Sequence, residues 1–286
     1  MSSLKEIKNR IVSVTSTQKI TSAMKMVSSA KLHHAEAMLH RTLPYGLRLT
    51  DLLRHLLAAV DEASSPYMEV RPCRQVALVA FSSDTGLCGT FNANLIKAAE
   101  HKIRELESAG IGVQVYPVGK KVAESLRKSG YATREDFLSF AGRPDYAAAS
   151  TMAGILAERF VCREIDGVEL LYHHFKNTAV HELICRTWLP FSPSETSEPI
   201  ESGYAGNDIL EPSAASLLEA LMPRVLRQQL YSVGLDTWAA EHAARVQAMQ
   251  TASDNANDLL QELTLQYNKS RQQAITNELL DILGGR

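Results

Sequence analysis

The residues best placed to do chemistry lie together in Ser82-Ser-Asp-Thr-Gly-Leu-Cys-Gly89. This segment follows an apolar β run, Arg74 to Phe81, and precedes a helical stretch, Asn92 to Ser108. A strand-loop-helix junction is where α/β folds hold phosphates on helix amides. The glycines are wrongly spaced for that task. Neither GxGxxG nor a Gly-Lys-Ser/Thr ending is present, so the lysine and hydroxyl that would hold nucleotide phosphates and magnesium are missing. A tight β-to-α turn with Asp84 and Asn92 as polar turn or cap residues fits better. Asp84-Thr85-Gly86 is also the tripeptide of aspartic proteases, whose chemistry needs two facing aspartates sharing one proton; a single copy occurs here. Cys88, near a helix start, has the setting for a lowered pKa, although a small buried turn residue is the plainer account.

The paired histidines His33-His34 and His173-His174 are poor chelators. Neighbours diverge by about 100° on a helix and point to opposite faces of a strand. Cys73, Cys88, Cys162 and Cys185 stand far apart without CxxC spacing, which indicates neither zinc nor a disulfide framework. Asn268-Lys-Ser270 matches a glycosylation sequon, but inside a helical pattern, where it reads as chance. No nucleophile, base and orienter can be assembled from these pieces, so no catalytic residue, cofactor-binding residue or metal ligand is expected.

The elements that carry these residues are more telling. In 286 residues, hydrophobics make up 45%, charged residues 22% and aromatics 6%, the composition of a folded soluble protein larger than a usual single domain. Thirty basic against thirty-two acidic residues give a formal charge of -2, which disfavours a general nucleic-acid or anionic-membrane binder. No run of eighteen apolar residues and no apolar signal core is present, so a reducing cytoplasm is the expected home.

Proline and glycine divide the chain. The first are Pro44 and Gly46, and after Gly234 neither occurs until Gly284. Each end is therefore an uninterrupted run of some 43 to 50 residues, a rod of roughly 65 to 75 Å if helical. The C-terminal run places apolar or small residues three and four apart: Leu235, Trp238, His242, Val246, Met249, Ser253, Ala256, Leu260, Leu263, Tyr267, Ser270 and Ala274, a coiled-coil seam. The N-terminal run opens with Leu4, Ile7, Ile11 and Val14, then turns small and polar from Ser13 to Ser22. Residues 1–41 hold seven Lys/Arg against two Glu, and residues 235–286 hold four against seven acidic residues. Since one long helix cannot bury a stripe alone, the economical arrangement is an antiparallel pair of complementary charge.

Between the rods, short units read as an α/β domain: strands at Arg74–Phe81 and Val113–Val118, helices at Asn92–Ser108, Lys120–Ser129 and Ser150–Arg163, and a hairpin of Val168–Phe175 with Val180–Trp188. The alternation predicts a parallel sheet with one antiparallel edge. The expected organisation is a shaft helix at 1–60, a Rossmann-like α/β domain at 74–190, a Pro/Ser/Glu-rich surface loop at 191–211 and a second shaft helix at 212–286.

The ends resemble a known family. Leu4-Lys-Glu-Ile-Lys-Asn-Arg-Ile11 and Thr17-Gln-Lys-Ile-Thr-Ser-Ala-Met-Lys-Met-Val-Ser-Ser-Ala-Lys-Leu32 resemble the N-terminal signature of the gamma subunit of F-type ATP synthases. Glu241-His-Ala-Ala-Arg-Val-Gln-Ala-Met249, Asp254-Asn-Ala256, Tyr267-Asn-Lys-Ser-Arg-Gln272 and Ile275-Thr-Asn-Glu278 are similar to its C-terminal signature. Ser83 to Gly89 and Asn92 to Ile96 are similar to its first strand-loop-helix unit. The sequence departs from the family pattern at Thr85, where a basic residue is common, and at Thr90, where a second glycine is usual. Without a chloroplast-type cysteine insertion or a transit peptide before Met1, a bacterial enzyme is expected.

The resemblance implies a rotor. The terminal helices would form the central shaft inside a ring of three alpha and three beta subunits, with the α/β domain towards the epsilon subunit and the membrane c ring, on the cytoplasmic face of the inner membrane. The shaft would couple ion transport to ATP synthesis or hydrolysis without doing bond chemistry. By matching positions, Met24 and Lys25 would lie near Glu241 and Arg245 at the level where beta subunits push. Arg271, Gln272, Thr276 and Glu278 would sit higher against the ring, and Asp208 and Glu211, with Ile209, Leu210 and Pro212, would face the c ring and epsilon. Two other readings stay open on the residues alone: a nucleotide-binding α/β enzyme with a helical dimerisation arm, and a helical scaffold or adaptor.

Overall fold

The structure is a computed structural model and describes residues 4–58, 65–192 and 210–284. Helix α1 spans Leu4–Ala58 and α5 spans Ala214–Gly284. Between them run β1 (Gln75–Phe81), α2 (Phe91–Ser108), β2 (Gly112–Val118), α3 (Lys120–Lys128), α4 (Tyr146–Val161), β3 (Gly167–Phe175) and β4 (His181–Leu189).

The sheet order is β2-β1-β3-β4. β1 pairs parallel with β2 and β3, and β4 closes the sheet antiparallel. The period-two alternation of β1 divides two cores. Leu78 and Ala80 pack with Leu95, Ala99 and Ile103 of α2 and Val122 and Leu126 of α3. Ala77, Val79 and Phe81 face the opposite way, joining Leu49, Leu53, Leu56 and Leu57 of α1, Met152 and Leu156 of α4, and Leu218 to Val233 of α5. The lower halves of both rods are thus one layer of a helix-sheet-helix sandwich, with the parallel strands buried on both faces.

Both rods run past the breakers that bound the uninterrupted runs: α1 has 55 residues and α5 has 71. Pro44 lies within α1 and Pro223 within α5, where flanking packing outweighs the lost backbone bond. Gly234 serves close approach: a Cβ there would meet the Phe140 ring at 2.5 Å. A Cβ on Gly46 would make only ordinary contact, 3.7 Å from Gln228 Nε2.

The seam is realised. Of its twelve positions on α5, Leu235, Trp238, His242, Met249, Ser253, Ala256 and Leu263 are buried and the other five are half-buried. Thr21 Oγ1 of α1 meets Ser253 Oγ of α5 at 2.8 Å, and His34 sits edge-on to Trp238 at 5.9 Å. The two contacts give one antiparallel register. Among the described residues, no helix is long and apolar enough to cross a membrane.

Candidate functional site

Burial along α5 changes sharply at one residue. Thirteen consecutive positions from Val233 to Arg245 are buried, except half-buried Asp236. Beyond Arg245 only one residue in three or four is, which is the signature of a two-helix pair. Arg245 therefore marks where the shaft leaves the α/β domain.

Its side chain is 6% exposed and fully engaged. Nη2 donates to Glu241 Oε1 at 2.7 Å and to Thr85 Oγ1 at 3.0 Å, and Nη1 lies 3.1 Å from His242 Nδ1. Burial pushes the Glu241 carboxyl above its ordinary range while the Arg245 guanidinium pulls it back. His242 is pushed down to about 3, first by burial and then by the neighbouring cation. Burial, with Arg245 beside it, thus keeps His242 neutral.

The 82–90 loop presents Thr85 to this centre. Asp84 Oδ1 accepts from Lys120 N at 3.1 Å, which ties the loop to the start of α3. Ser83 Oγ donates to Thr85 O at 2.6 Å, and Asn92 Nδ2 donates to Ser83 Oγ at 2.8 Å and to Cys88 Sγ at 3.2 Å. Cys88 is 2% exposed, a packed turn residue. The loop is the tight polar turn expected of it, and its ligand is the protein's own arginine.

The other expected contacts are placed as follows. The register set by Thr21 and Ser253 puts Met24 and Lys25, both half-buried, beside Met249 and Gln250. They stand about one turn from Arg245 and two turns from Glu241 along the shaft. Lys31 is the α1 cation whose field reaches Glu241 and His242. Arg271, Gln272, Thr276 and Glu278 are all exposed, and the Thr276 hydroxyl turns back to Gln272 O at 2.9 Å. By the same register Leu4 lies level with Ser270, and α5 continues for about 14 described residues past that level, roughly 21 Å. Leu279, Leu280, Ile282 and Leu283 stand 55–77% exposed there. Glu211 is exposed just before α5; Asp208 and Ile209 lie outside the described residues.

His173 and His174 diverge as strand neighbours must. His173 is buried and stacked on Phe91 at 4.2 Å, and burial pushes it down to about 4. His174 faces out and bonds Asp236 at 2.6 Å, which raises its pKa.

Residues 3–286 match the protein-family model described as ATP synthase. The chain is 54% identical over 286 residues to the ATP synthase gamma chain of Parabacteroides distasonis, spanning 100% of this chain and 98% of that one. It is 51% identical to that of Phocaeicola vulgatus, spanning 100% and 99%. The chain belongs to the ATP synthase gamma chain family.

Solved structures agree on the fold of this gamma chain relative. The rotor of Euglena gracilis mitochondrial ATP synthase matches 95% of this chain and 98% of its own at 20% identity, with a TM-score of 0.61. The central stalk and c-ring structure from Tetrahymena thermophila matches 82% and 99% at 20% identity, with a TM-score of 0.60. Within the family pattern, the sequence singled out Arg245 and Glu241 but not their partner Thr85. The substitution of Thr85 for a usual basic residue was the available signal: a cation there would face the buried Arg245.

Proposed function

We propose that the chain is the central rotor shaft of an F-type ATP synthase, coupling ion-driven rotation of a membrane ring to ATP synthesis and hydrolysis on surrounding alpha and beta subunits. Residues 1–60 and 212–286 make the shaft and 74–190 the domain that meets epsilon and the c ring, on the cytoplasmic face of a bacterial membrane. Glu211 and Asp208 belong to that lower side. Met24, Lys25, Arg271, Gln272, Thr276 and Glu278 face the ring, and Glu241 and Arg245 stand where the shaft enters it.

The observation that carries this reading is the exposed apolar end of α5. A helix end with Leu279, Leu280, Ile282 and Leu283 more than half exposed marks an interaction surface that an apolar collar would cover. The shaft below it is suited to turning. The hydroxyls of Thr15, Ser16 and Thr17 donate to carbonyls four residues back at 2.7, 3.0 and 3.0 Å, and Thr251, Thr264 and Thr276 do the same on α5. A hydroxyl satisfied within its own helix has no donor left for a sleeve, so this stretch offers few strong bonds that would trap one angle. Because the pair is asymmetric, each angle makes different contacts with the three catalytic sites, and that difference in contact energy is the coupling.

The test is reconstitution with purified alpha and beta subunits. The expected product holds one copy of this chain per three alpha-beta pairs, with ATPase turnover dependent on it. A folded chain that fails to assemble, or a ring whose turnover ignores it, contradicts the reading.

A further inference from the structure

We infer that Arg245 and Thr85 form a torsional latch, the outermost of the polar bonds that hold the angle of the α/β domain relative to the shaft, at the point where the shaft leaves it. The inference rests on the rotor reading, because only a loaded shaft gives such a bond work to do.

Below Val233 the domain and the rods are fused by a broad apolar core, where slippage would expose large side chains. Just above it Asp236 bonds His174 Nδ1 at 2.6 Å and accepts from Phe175 N at 2.8 Å, and beyond Asp236 the contact narrows to small residues, chiefly Ala240 and Ala244 against Cys88, Phe91 and Phe175. Alanines allow close approach but interlock weakly, so they resist rotation of α5 about its axis poorly. The last ties from the domain are Thr85 on Arg245 and Gly89 beside Ala248. A charge-assisted hydrogen bond is directional, so a turn of α5 that moves the guanidinium breaks it.

Both ends of the latch are held. Glu241 fixes Arg245 from one turn below on the same helix. Thr85 is fixed through its carbonyl by Ser83, through Ser83 by Asn92, and through adjacent Asp84 by α3. The threonine hydroxyl is neutral and compact, so it accepts from Arg245 without adding charge beside Glu241, Asp84 and Lys31, the groups whose fields meet there. Arg245 is a positioning residue: it touches no substrate and acts through the loop it holds.

The experiment uses the assembled alpha-beta-gamma complex with a bead on Cys162, an exposed thiol at the end of α4, and records angular fluctuation at the catalytic pauses. Thr85→Val keeps the shape and removes the acceptor, and Thr85→Ser restores it. With the latch lost, the angular variance at the pauses should rise roughly twofold in Thr85→Val and return in Thr85→Ser. Thr85 is exposed, so folding is not at stake, and thermal unfolding of each variant confirms this. Unchanged variance in an assembled, rotating Thr85→Val complex overturns the latch. Failure of the unmodified chain to assemble overturns the rotor reading instead, so the two failures are distinct.

Discussion

Thr21 and Ser253, 232 residues apart in sequence, meet hydroxyl to hydroxyl at 2.8 Å across the shaft. This pair fixes the register of two rods whose small polar faces could otherwise slide by a turn. Replacing both by cysteine places two thiols within bridging geometry. The Thr21→Cys/Ser253→Cys chain should cross-link on mild oxidation, read by mobility on a non-reducing gel, whereas Met24→Cys with Glu241→Cys should not. Efficient bridging of the second pair would overturn the register. Both partners belong to one rotor, so the bridge should leave assembly intact.

The buried ion pair of Arg245 and Glu241 predicts an asymmetric double mutant. Arg245→Ala leaves Glu241 buried beside no cation and should cost about 3–5 kcal/mol in urea unfolding. Arg245→Met combined with Glu241→Leu removes both charges and should cost less than the single change. A double variant as unstable as the sum of its parts would contradict the pairing.

Gly234 faces Phe140 so closely that a Cβ would approach the ring at 2.5 Å. Although alanine is the better helix former, Gly234→Ala should destabilise by about 1–3 kcal/mol through overpacking. Phe140→Leu should recover part of that loss when combined with it. A Gly234→Ala chain more stable than the parent would show that the ring moves aside freely.

Acid should weaken the fold through two histidines. His173 and His242 are held to about 4 and about 3, below their unfolded value near 6.5. From pH 6.5 down towards 4 the unfolded chain binds protons that the folded one refuses, so stability falls as pH falls, by up to about 2.7 kcal/mol per unit with both acting. Burial also lowers His181 and adds to this slope. His174, raised by Asp236, has the opposite sign and loses its contribution as pH rises. Denaturation midpoints between pH 7 and 5 should shift less in His173→Phe; an unchanged slope would locate the protons elsewhere.

The sequence was most readable where a period repeats. The α5 seam from Leu235 to Ala274 could be picked out by spacing alone, and its positions are buried or half-buried as that pattern requires. The strands, the parallel sheet and its antiparallel edge followed from short apolar runs and turn signals. The place of single breakers was less readable. Pro44, Gly46 and Gly234 bound the breaker-free runs in the sequence, yet they lie inside α1 and α5, and at Gly234 the reason is the distant Phe140 ring, which leaves no room for a Cβ. The start of α4 was placed at Ser150, whereas Asp145 accepts a bond from Ala147 N at 3.2 Å and caps the helix four residues earlier.

The site was legible in type but not in pairing. Family matching brought Glu241 and Arg245 forward together, and an i,i+4 spacing on one helix makes them neighbours. Thr85 lies 160 residues away, and no local pattern links a loop hydroxyl to a distant arginine. Lys31, rather than Lys25, acts on Glu241 because the register depends on the Thr21 and Ser253 hydroxyls, which carry no apolar signal.

Rotation itself is the most direct test of the rotor account. With the alpha-beta ring fixed to a surface and a bead on Cys162, ATP should drive unidirectional turning of the α/β domain, with pauses at three angles and arrest when ATP is removed. A bead that stays still while the same complex hydrolyses ATP would contradict the account.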